Sequence, residues 1–270
     1  MLDLVYLILS LLSYINIKVK GFNTFFDDYM DLENTCAIKG LFVWMIFFRH
    51  FTDYLKYYTI KNKKSIIIDK AFGQNIVSLF LFYSGFGIFE SFKKKGNKYI
   101  KTLPIKGIII LIKSEIILFI YFCNNQLLKK KIPYRIFFQA IIFRKSIGNS
   151  YWFCFAIISL YFHTFFAFYF IHNRFSFMGI LLITIICAIH VYCVYNYYHP
   201  REIISVDTII CFLLGFYFSF SKKIIDKIFN KNDILYFGII FALVLLYYKF
   251  YANMPRIIFY VSIKNGIYTK

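Results

Sequence analysis

The stretch SFMGILLITIICAIHVYCVYN, residues 176–196, decides the fold class of this chain. It contains no Asp, Glu, Lys or Arg. As an α-helix it would extend roughly 30 Å, which is the thickness of the hydrocarbon core of a bilayer. The stretch therefore predicts a transmembrane helix.

Apolar runs of similar length recur along the chain. They cover residues 1–17, 37–55, 72–91, 105–123, 151–171, 203–220 and 233–252. The runs are continuous rather than alternating, which favours helices because a helix satisfies its own backbone groups in lipid. With residues 176–196 they predict an all-α, polytopic bundle of about eight transmembrane helices.

Two runs are short for a full crossing. Residues 132–143 are apolar over only about a dozen positions, which fits an interfacial or re-entrant segment. The run to Ile17 has no basic region before it and no small-residue cleavage site after it, so we expect a retained helix, tilted or interfacial. The chain has no internal repeat and no Pro/Gly/Ser linker, which predicts a single membrane domain over residues 1–270.

Composition supports the membrane assignment. Apolar residues make up 60% of the chain and charged residues 17%, and the mean hydropathy is +0.62. Soluble domains contain about 45–50% apolar and about 25% charged residues. A soluble fold would lack the polar coat that so many aliphatic runs require, so lipid is the expected solvent.

The net charge of +19 does not indicate nucleic-acid binding. Lys and Arg lie between the apolar runs and form no basic face with interleaved polar residues, so anionic lipid headgroups are their expected partners. Basic loops at 56–70, 93–106 and 129–145 cannot all lie on one side if every run crosses once. The positive-inside rule therefore leaves the orientation open.

Several classes of site are disfavoured. The six cysteines include no C-x-x-C pair and are interpreted as small core residues rather than disulfides or metal ligands. His163, His172, His190 and His199 show no H-x-x-x-H or H-E-x-x-H spacing, so no metal site is predicted. The absence of G-x-S-x-G and of a Gly-rich phosphate loop argues against a serine esterase and an ATP-driven pump.

Lys39 and His50 are the main candidates for a catalytic pair. They are eleven residues apart, which returns them to nearly the same face of a helix at a separation of roughly 16 Å. Asp53 lies three residues beyond His50 and is placed to orient the imidazole as a base. In the alternative reading, Lys39 and Arg49 extend toward opposite headgroup layers and His50 sits at a wet helix end.

Four short motifs occur in a recognisable order between about residues 27 and 230. They are NTCAIKGL at 34–41 running through RHF at 49–51, FYSGFG at 82–87 with KKGNKYIK at 94–101, GNSYWF at 148–153, and CFLLG at 211–215. Together they resemble the acyltransferase family 3 membrane proteins, whose opening helix carries a basic residue, ten intervening positions and a histidine. Lys39 and His50 occupy those two positions.

The resemblance implies transfer of an acyl group, commonly acetyl, from acyl-CoA to a hydroxyl of an envelope polysaccharide or glycolipid at the bacterial inner membrane. Acyl-CoA would be a donor substrate, and no bound cofactor is expected. His50, Lys39 and Asp53 would carry the chemistry. Substrate contacts are expected from Ser84, Glu115 and Trp152, and contacts to the anionic donor from Lys94, Lys95, Lys98, Lys101 and Lys106.

The chain departs from the family pattern in two ways. Lys101 and Lys106 stand where family members often have paired arginines, and Lys cannot make the bidentate phosphate contact of Arg. The chain also ends at Lys270 after about eight runs, whereas family members usually continue. A transporter or flippase, and a shortened inactive member of the family, remain the alternatives.

Overall fold

The computed structural model describes residues 27–55, 63–128, 132–143, 152–171, 175–197, 206–229, 234–243 and 245–246, besides Ile8 and Leu11. A short 3-10 helix covers Asp27–Met30. The α-helices are α1 (Leu32–Leu55), α2 (Lys63–Lys95), α3 (Asn97–Ile100), α4 (Leu103–Leu127), α5 (Tyr134–Phe143), α6 (Trp152–Phe168), α7 (Ser176–Tyr197), α8 (Val206–Phe229) and α9 (Ile234–Leu243). No strand occurs among the described residues, which confirms the all-α prediction.

Three helical segments are long and apolar enough to cross a membrane. They are Ile76–Lys95 of α2, Ser176–Val194 of α7 and Thr208–Phe229 of α8. Phe153–Phe168 and Ile234–Leu243 are apolar but shorter. Within the part of the chain that the structure describes, length and composition therefore identify three candidate crossings, and the predicted total of about eight is not confirmed. The run at residues 1–17 lies almost wholly outside that part.

The chain divides into two compact units. One comprises Met1–Leu9 and Asp31–Ser221, and the other Ser10–Met30 and Lys222–Lys270. Within the first unit, the main buried core combines five phenylalanines of α2, α6 and α8 with mostly aliphatic residues from α2, α3, α4, α6, α7 and α8. Phe92 lies edge-on to Phe168 with ring centroids 4.9 Å apart, and Phe89 lies 5.5 Å from Phe216.

A sharp corner separates α2 from α4. Gly96 follows α2 with a φ of 59°, a backbone conformation that glycine adopts without steric cost, and its N–H donates to the carbonyl of Phe92 at 2.7 Å. Pro104 stands in the first turn of α4, where its missing N–H is not needed. The one-turn helix α3 fills the corner and brings α4 back beside α6.

Large aliphatic side chains cover the outer surface of α4. The exposed ones are Ile105, Ile108, Ile109, Ile112, Ile116, Ile117 and Ile120. Lys113 is exposed among these isoleucines, but a soluble protein would rarely leave so many large apolar side chains of one helix uncovered. The surface thus agrees with the three membrane-length helices in indicating lipid as the surrounding medium.

Two smaller predictions fall within this fold. The segment at 132–143 forms the ten-residue helix α5, which stacks Phe137 on Phe122 of α4 with centroids 4.2 Å apart. All six cysteines are free, as expected, but only Cys187 is buried. Cys36 and Cys193 are exposed on the outer faces of their helices, where an apolar environment suits a thiol as well as a core does.

Candidate functional site

Six lysines occupy the corner between α2 and α4, which we call the basic turn (residues 93–106). They are Lys93, Lys94, Lys95, Lys98, Lys101 and Lys106. The side chains of Lys94, Lys95 and Lys98 are exposed. Lys101 Nζ lies 5.8 Å from the ring centroid of Tyr169, and the turn is tied to α6 because Asn97 Nδ2 donates to the Tyr169 carbonyl at 3.1 Å. The corner thus presents a concentrated positive charge at one end of the first unit.

Lys93 differs from the other lysines of the turn. Its Nζ lies 2.5 Å from Glu90 Oε1 and donates to the Ser219 carbonyl at 3.0 Å, while Ser219 Oγ donates to the same carboxylate at 2.7 Å. Because its charge is already compensated, Lys93 contributes to holding α2 against α8 rather than to an anion site.

Four hydroxyl groups, which we call the hydroxyl cluster, extend from the basic turn along α2: Tyr99, Ser91, Tyr161 and Ser84. Tyr99 and Tyr161 interact electrostatically, which connects the two ends of the cluster. Ser84 and Ser91 are two turns apart on one face of α2. Ser84 forms a side-chain hydrogen bond with Tyr161 of α6, and Ser91 forms one with Tyr99 of α3. The Tyr99 ring also carries Lys106, whose Nζ lies 4.1 Å from its centroid. The predicted residues Ser84 and Lys106 are thereby linked through two tyrosines.

Tyr99 is the member of the hydroxyl cluster that lies in the turn itself. Burial raises the pKa of Tyr99 above its ordinary value, and the hydrogen bond with Ser91 opposes that rise. Its phenol therefore stays protonated at neutral pH and can donate a hydrogen bond.

Lys39 approaches this site from α1. Its Nζ lies 5.9 Å from the ring centroid of Tyr83, the residue before Ser84. Three residues along α1, Phe42 packs against Phe80 of α2, so the two helices run antiparallel. Lys39 is thus level with Ser84, about 16 Å along α2 from Lys94.

His50 and Asp53 lie on the other side of Lys39 from the basic turn. Their backbone belongs to α1, while their side chains lie outside the described part of the structure. His50 is about 16 Å further along α1 than Lys39. Because α1 and α2 are antiparallel, His50 lies on the side of Lys39 that faces away from Lys94. Along the helix axes the predicted base and the basic turn are therefore about 33 Å apart.

Glu115 and Trp152 also lie toward the far end. Gly107 of α4 faces Ile158 and Phe162 of α6, and Asn97 reaches Tyr169, so α4 and α6 are antiparallel. With this pairing, the half-buried Glu115 lies beside the start of α6, where Trp152 is the first residue. The side chain of Trp152 is outside the described part of the structure. The structure separates these two residues from Ser84 and the basic turn.

Reasoning from the sequence missed three members of the site: Ser91, Tyr99 and Tyr161. Ser91 carried a usable signal, since it follows Ser84 by seven residues on a helix. Tyr161 carried none, because tyrosine is abundant in this chain and the contact joins helices distant in sequence.

Compared with known protein families, curated protein sequences and solved structures, the chain has no match.

Proposed function

We propose that this chain is a membrane-bound O-acyltransferase that transfers an acyl group from acyl-CoA to a hydroxyl of an envelope polysaccharide or glycolipid. The observation that carries the proposal is the arrangement of predicted residues along α2. Lys39 and Ser84 lie at one level, and the basic turn, in which Lys106 lies over Tyr99, begins about 16 Å further along the helix. Lys39 and Ser84 lie in motifs that resemble acyltransferase family 3, and Lys106 stands where members of that family often have arginine.

The proposal includes a bundle of about eight crossings in a bacterial inner membrane. Three membrane-length helices and the isoleucine face of α4 support it. We assign the basic turn to the cytoplasmic side because acyl-CoA, the proposed donor, is available there.

The basic turn is the proposed site for the phosphates of the donor. Lys94, Lys95 and Lys98 offer exposed ammonium groups, and Lys101 and Lys106 lie beside tyrosine rings that fix their positions. Charge-assisted bonds from ammonium to phosphate are among the stronger polar contacts. Lysine binds phosphate as a point charge, so we expect looser binding than paired arginines would give.

The length of the donor can be compared with the distance between the basic turn and Lys39. The arm between the pyrophosphate and the sulfur contains about 13 covalent bonds and extends to roughly 16 Å. Starting at Lys94, that arm reaches the level of Lys39 and Ser84 but not that of His50. We therefore place the thioester beside Lys39 and the hydroxyl cluster, where an ammonium and two hydroxyl donors are available to a developing oxyanion.

In the proposed reaction the acceptor hydroxyl attacks the thioester carbonyl. A C–O bond forms, the C–S bond breaks, and CoA leaves as a thiol after receiving the proton removed from the acceptor. His50, oriented by Asp53, is the proposed base. A base must lie within hydrogen-bond reach of the hydroxyl that it deprotonates, whereas about 16 Å of helix separates His50 from Lys39. The assignment of His50 as the base therefore rests on the resemblance to acyltransferase family 3 and not on this geometry. Glu115 and Trp152, which lie toward the same end as His50, are assigned to acceptor contacts.

The test uses membranes containing the protein, labelled acetyl-CoA and envelope glycolipid, with label in the glycan as the readout. We expect transfer by the wild type, and its loss in His50→Ala and in Lys39→Met at equal protein abundance. A folded, abundant wild type that transfers no label to any offered envelope acceptor contradicts the acyltransferase proposal. Transfer retained by His50→Ala removes His50 as the base.

The donor site is tested separately. Replacing Lys94, Lys95 and Lys98 by Gln should raise KM for acetyl-CoA roughly fivefold for each lost contact worth about 1 kcal/mol. Lys223→Gln with Lys227→Gln, which removes exposed lysines from α8, is the matched control and should leave KM unchanged. Equal effects in both variants would assign the change to overall charge and remove the basic turn as the donor site.

A further inference from the structure

Helices α6 and α7 bring their only histidines together. Neither helix contains Asp, Glu, Lys or Arg, and each contains one histidine, His163 on α6 and His190 on α7. The ring centroids are 4.9 Å apart and the ring planes are inclined by 70°. Both side chains are half-buried. The two most readily protonated groups of these apolar helices thus meet at one point.

The environment leaves one imidazole nitrogen unsatisfied. His163 Nδ1 is buried and has no hydrogen-bond partner among the described residues. A buried polar atom without a partner is destabilising, and an ionisable side chain within an apolar helix bundle generally marks a functional site. Edge-to-face ring packing accounts for the inclination of the rings but not for the unpartnered nitrogen.

We propose that His163 and His190 bind one divalent transition-metal ion of the zinc class between α6 and α7. One nitrogen of each ring at about 2.0 Å from a tetrahedral ion places the ring centres roughly 5 Å apart, which matches the observed spacing. Neutral imidazole is the form that binds metal.

The protein supplies two ligands to this ion. In the part of the chain that is described, no group of three or more His, Cys, Asp or Glu side chains is arranged to hold a metal. Cys187, one turn before His190, is packed into the aromatic core instead. The remaining coordination positions are open to water or a small anion, as in metal sites that act on a ligand rather than in closed structural sites. This site is independent of the acyltransferase proposal.

The test is a metal titration of the purified full-length protein, prepared without a histidine tag and stripped with a chelator. Zn²⁺ binding is measured against a chromophoric competitor, and Co²⁺ serves as the spectroscopic probe. We expect one Zn²⁺ per chain and at least a tenfold loss of affinity in His163→Phe and in His190→Phe. Phenyl rings preserve the ring packing and remove only the nitrogens. Cys193→Ala, which removes an exposed thiol one turn beyond His190, is the matched control and should bind as the wild type does.

Two results would overturn the proposal. One is a wild type that binds no more Zn²⁺ than the variant with both histidines replaced by Phe. The other, which needs no variant to fold, is an X-ray absorption spectrum of the zinc-loaded wild type that shows sulfur ligands or fewer than two imidazoles. If the two histidines bind a proton but no metal ion, the wild type will bind no more Zn²⁺ than the double variant, which is the first of these results.

Discussion

Gly85 of α2 and Gly215 of α8 lie against each other where the two helices cross. A methyl group on Gly85 would meet the carbonyl oxygen of Phe212, and one on Gly215 would meet the carbonyl oxygen of Phe82 and, at 2.7 Å, the nitrogen of Phe86. Small residues permit such close approach between helices in an apolar medium. Both glycines belong to the motifs FYSGFG and CFLLG, so these motifs mark a packing contact whatever else they do.

Replacing either glycine by alanine should destabilise the protein by about 1–3 kcal/mol, because the obstructing atoms belong to the backbone of the other helix and cannot rotate away. Gly87→Ala is the matched control. Nothing lies within 4 Å of a Cβ at that position, and alanine favours a helix more than glycine does. Unfolding in detergent measures all three variants. Equal stability of Gly85→Ala and Gly87→Ala would contradict the close crossing.

A second contact between α2 and α8 can be tested at Ser219. Its buried hydroxyl donates to Glu90, and Ser219→Ala should lower the free energy of unfolding by about 1–2 kcal/mol because the lost bond goes to a carboxylate. Ser221→Ala, at a half-buried serine two residues later, should change stability by less than about 0.5 kcal/mol. A Ser219 effect no larger than that of Ser221 would show that the bond contributes nothing.

The contact between Lys106 and Tyr99 should appear as a coupling energy. A double-mutant cycle with Lys106→Met and Tyr99→Leu is expected to give about 0.5–1 kcal/mol, since the ammonium lies over the face of the ring. Tyr99→Phe retains the ring and should retain the coupling. Lys94→Met combined with Tyr99→Leu is the control and should be additive. Zero coupling in the first cycle would exclude a cation–π contact.

Tyr29 should make stability sensitive to alkaline pH. Its hydroxyl donates to Asp226 Oδ1 at 2.7 Å, and Lys222 Nζ lies 4.7 Å from its ring centroid. Burial, with the bond to Asp226, raises the pKa of Tyr29 above 10. The folded state therefore holds the Tyr29 proton more tightly than the unfolded chain does. The stabilisation that results is fully present below about pH 10, and it is lost as the pH rises further.

Tyr29→Phe should therefore cost about 1–2 kcal/mol at neutral pH and flatten the fall in stability above about pH 10. Unfolding midpoints measured across that pH range would show it. Parallel alkaline curves for the wild type and Tyr29→Phe would contradict the assignment. Tyr236→Phe, at an exposed tyrosine of α9, provides the control for loss of a hydroxyl.

The site shows which kinds of inference the sequence supported. Lys39 and Ser84 could be selected from short motifs, and the structure places them at one level of α2, with Lys106 over Tyr99 in the basic turn. The distance of His50 from the basic turn could not be foreseen, because spacing along one helix says nothing of the direction in which its neighbour runs. The pair of His163 and His190 was missed because the two residues are 27 positions apart and lie on different helices.

By itself, the sequence determined that the chain is helical and that its outer surface is apolar, because uncharged runs of about 20 residues can satisfy their backbone in lipid only as helices. The tertiary structure decided which residues meet: Gly85 with Gly215, Ser84 with Tyr161, and His163 with His190. Helices that are apolar on every side carry no hydrophobic stripe to distinguish an inner from an outer face. Their contacts follow instead from the fit of side chains and backbones that are distant in sequence.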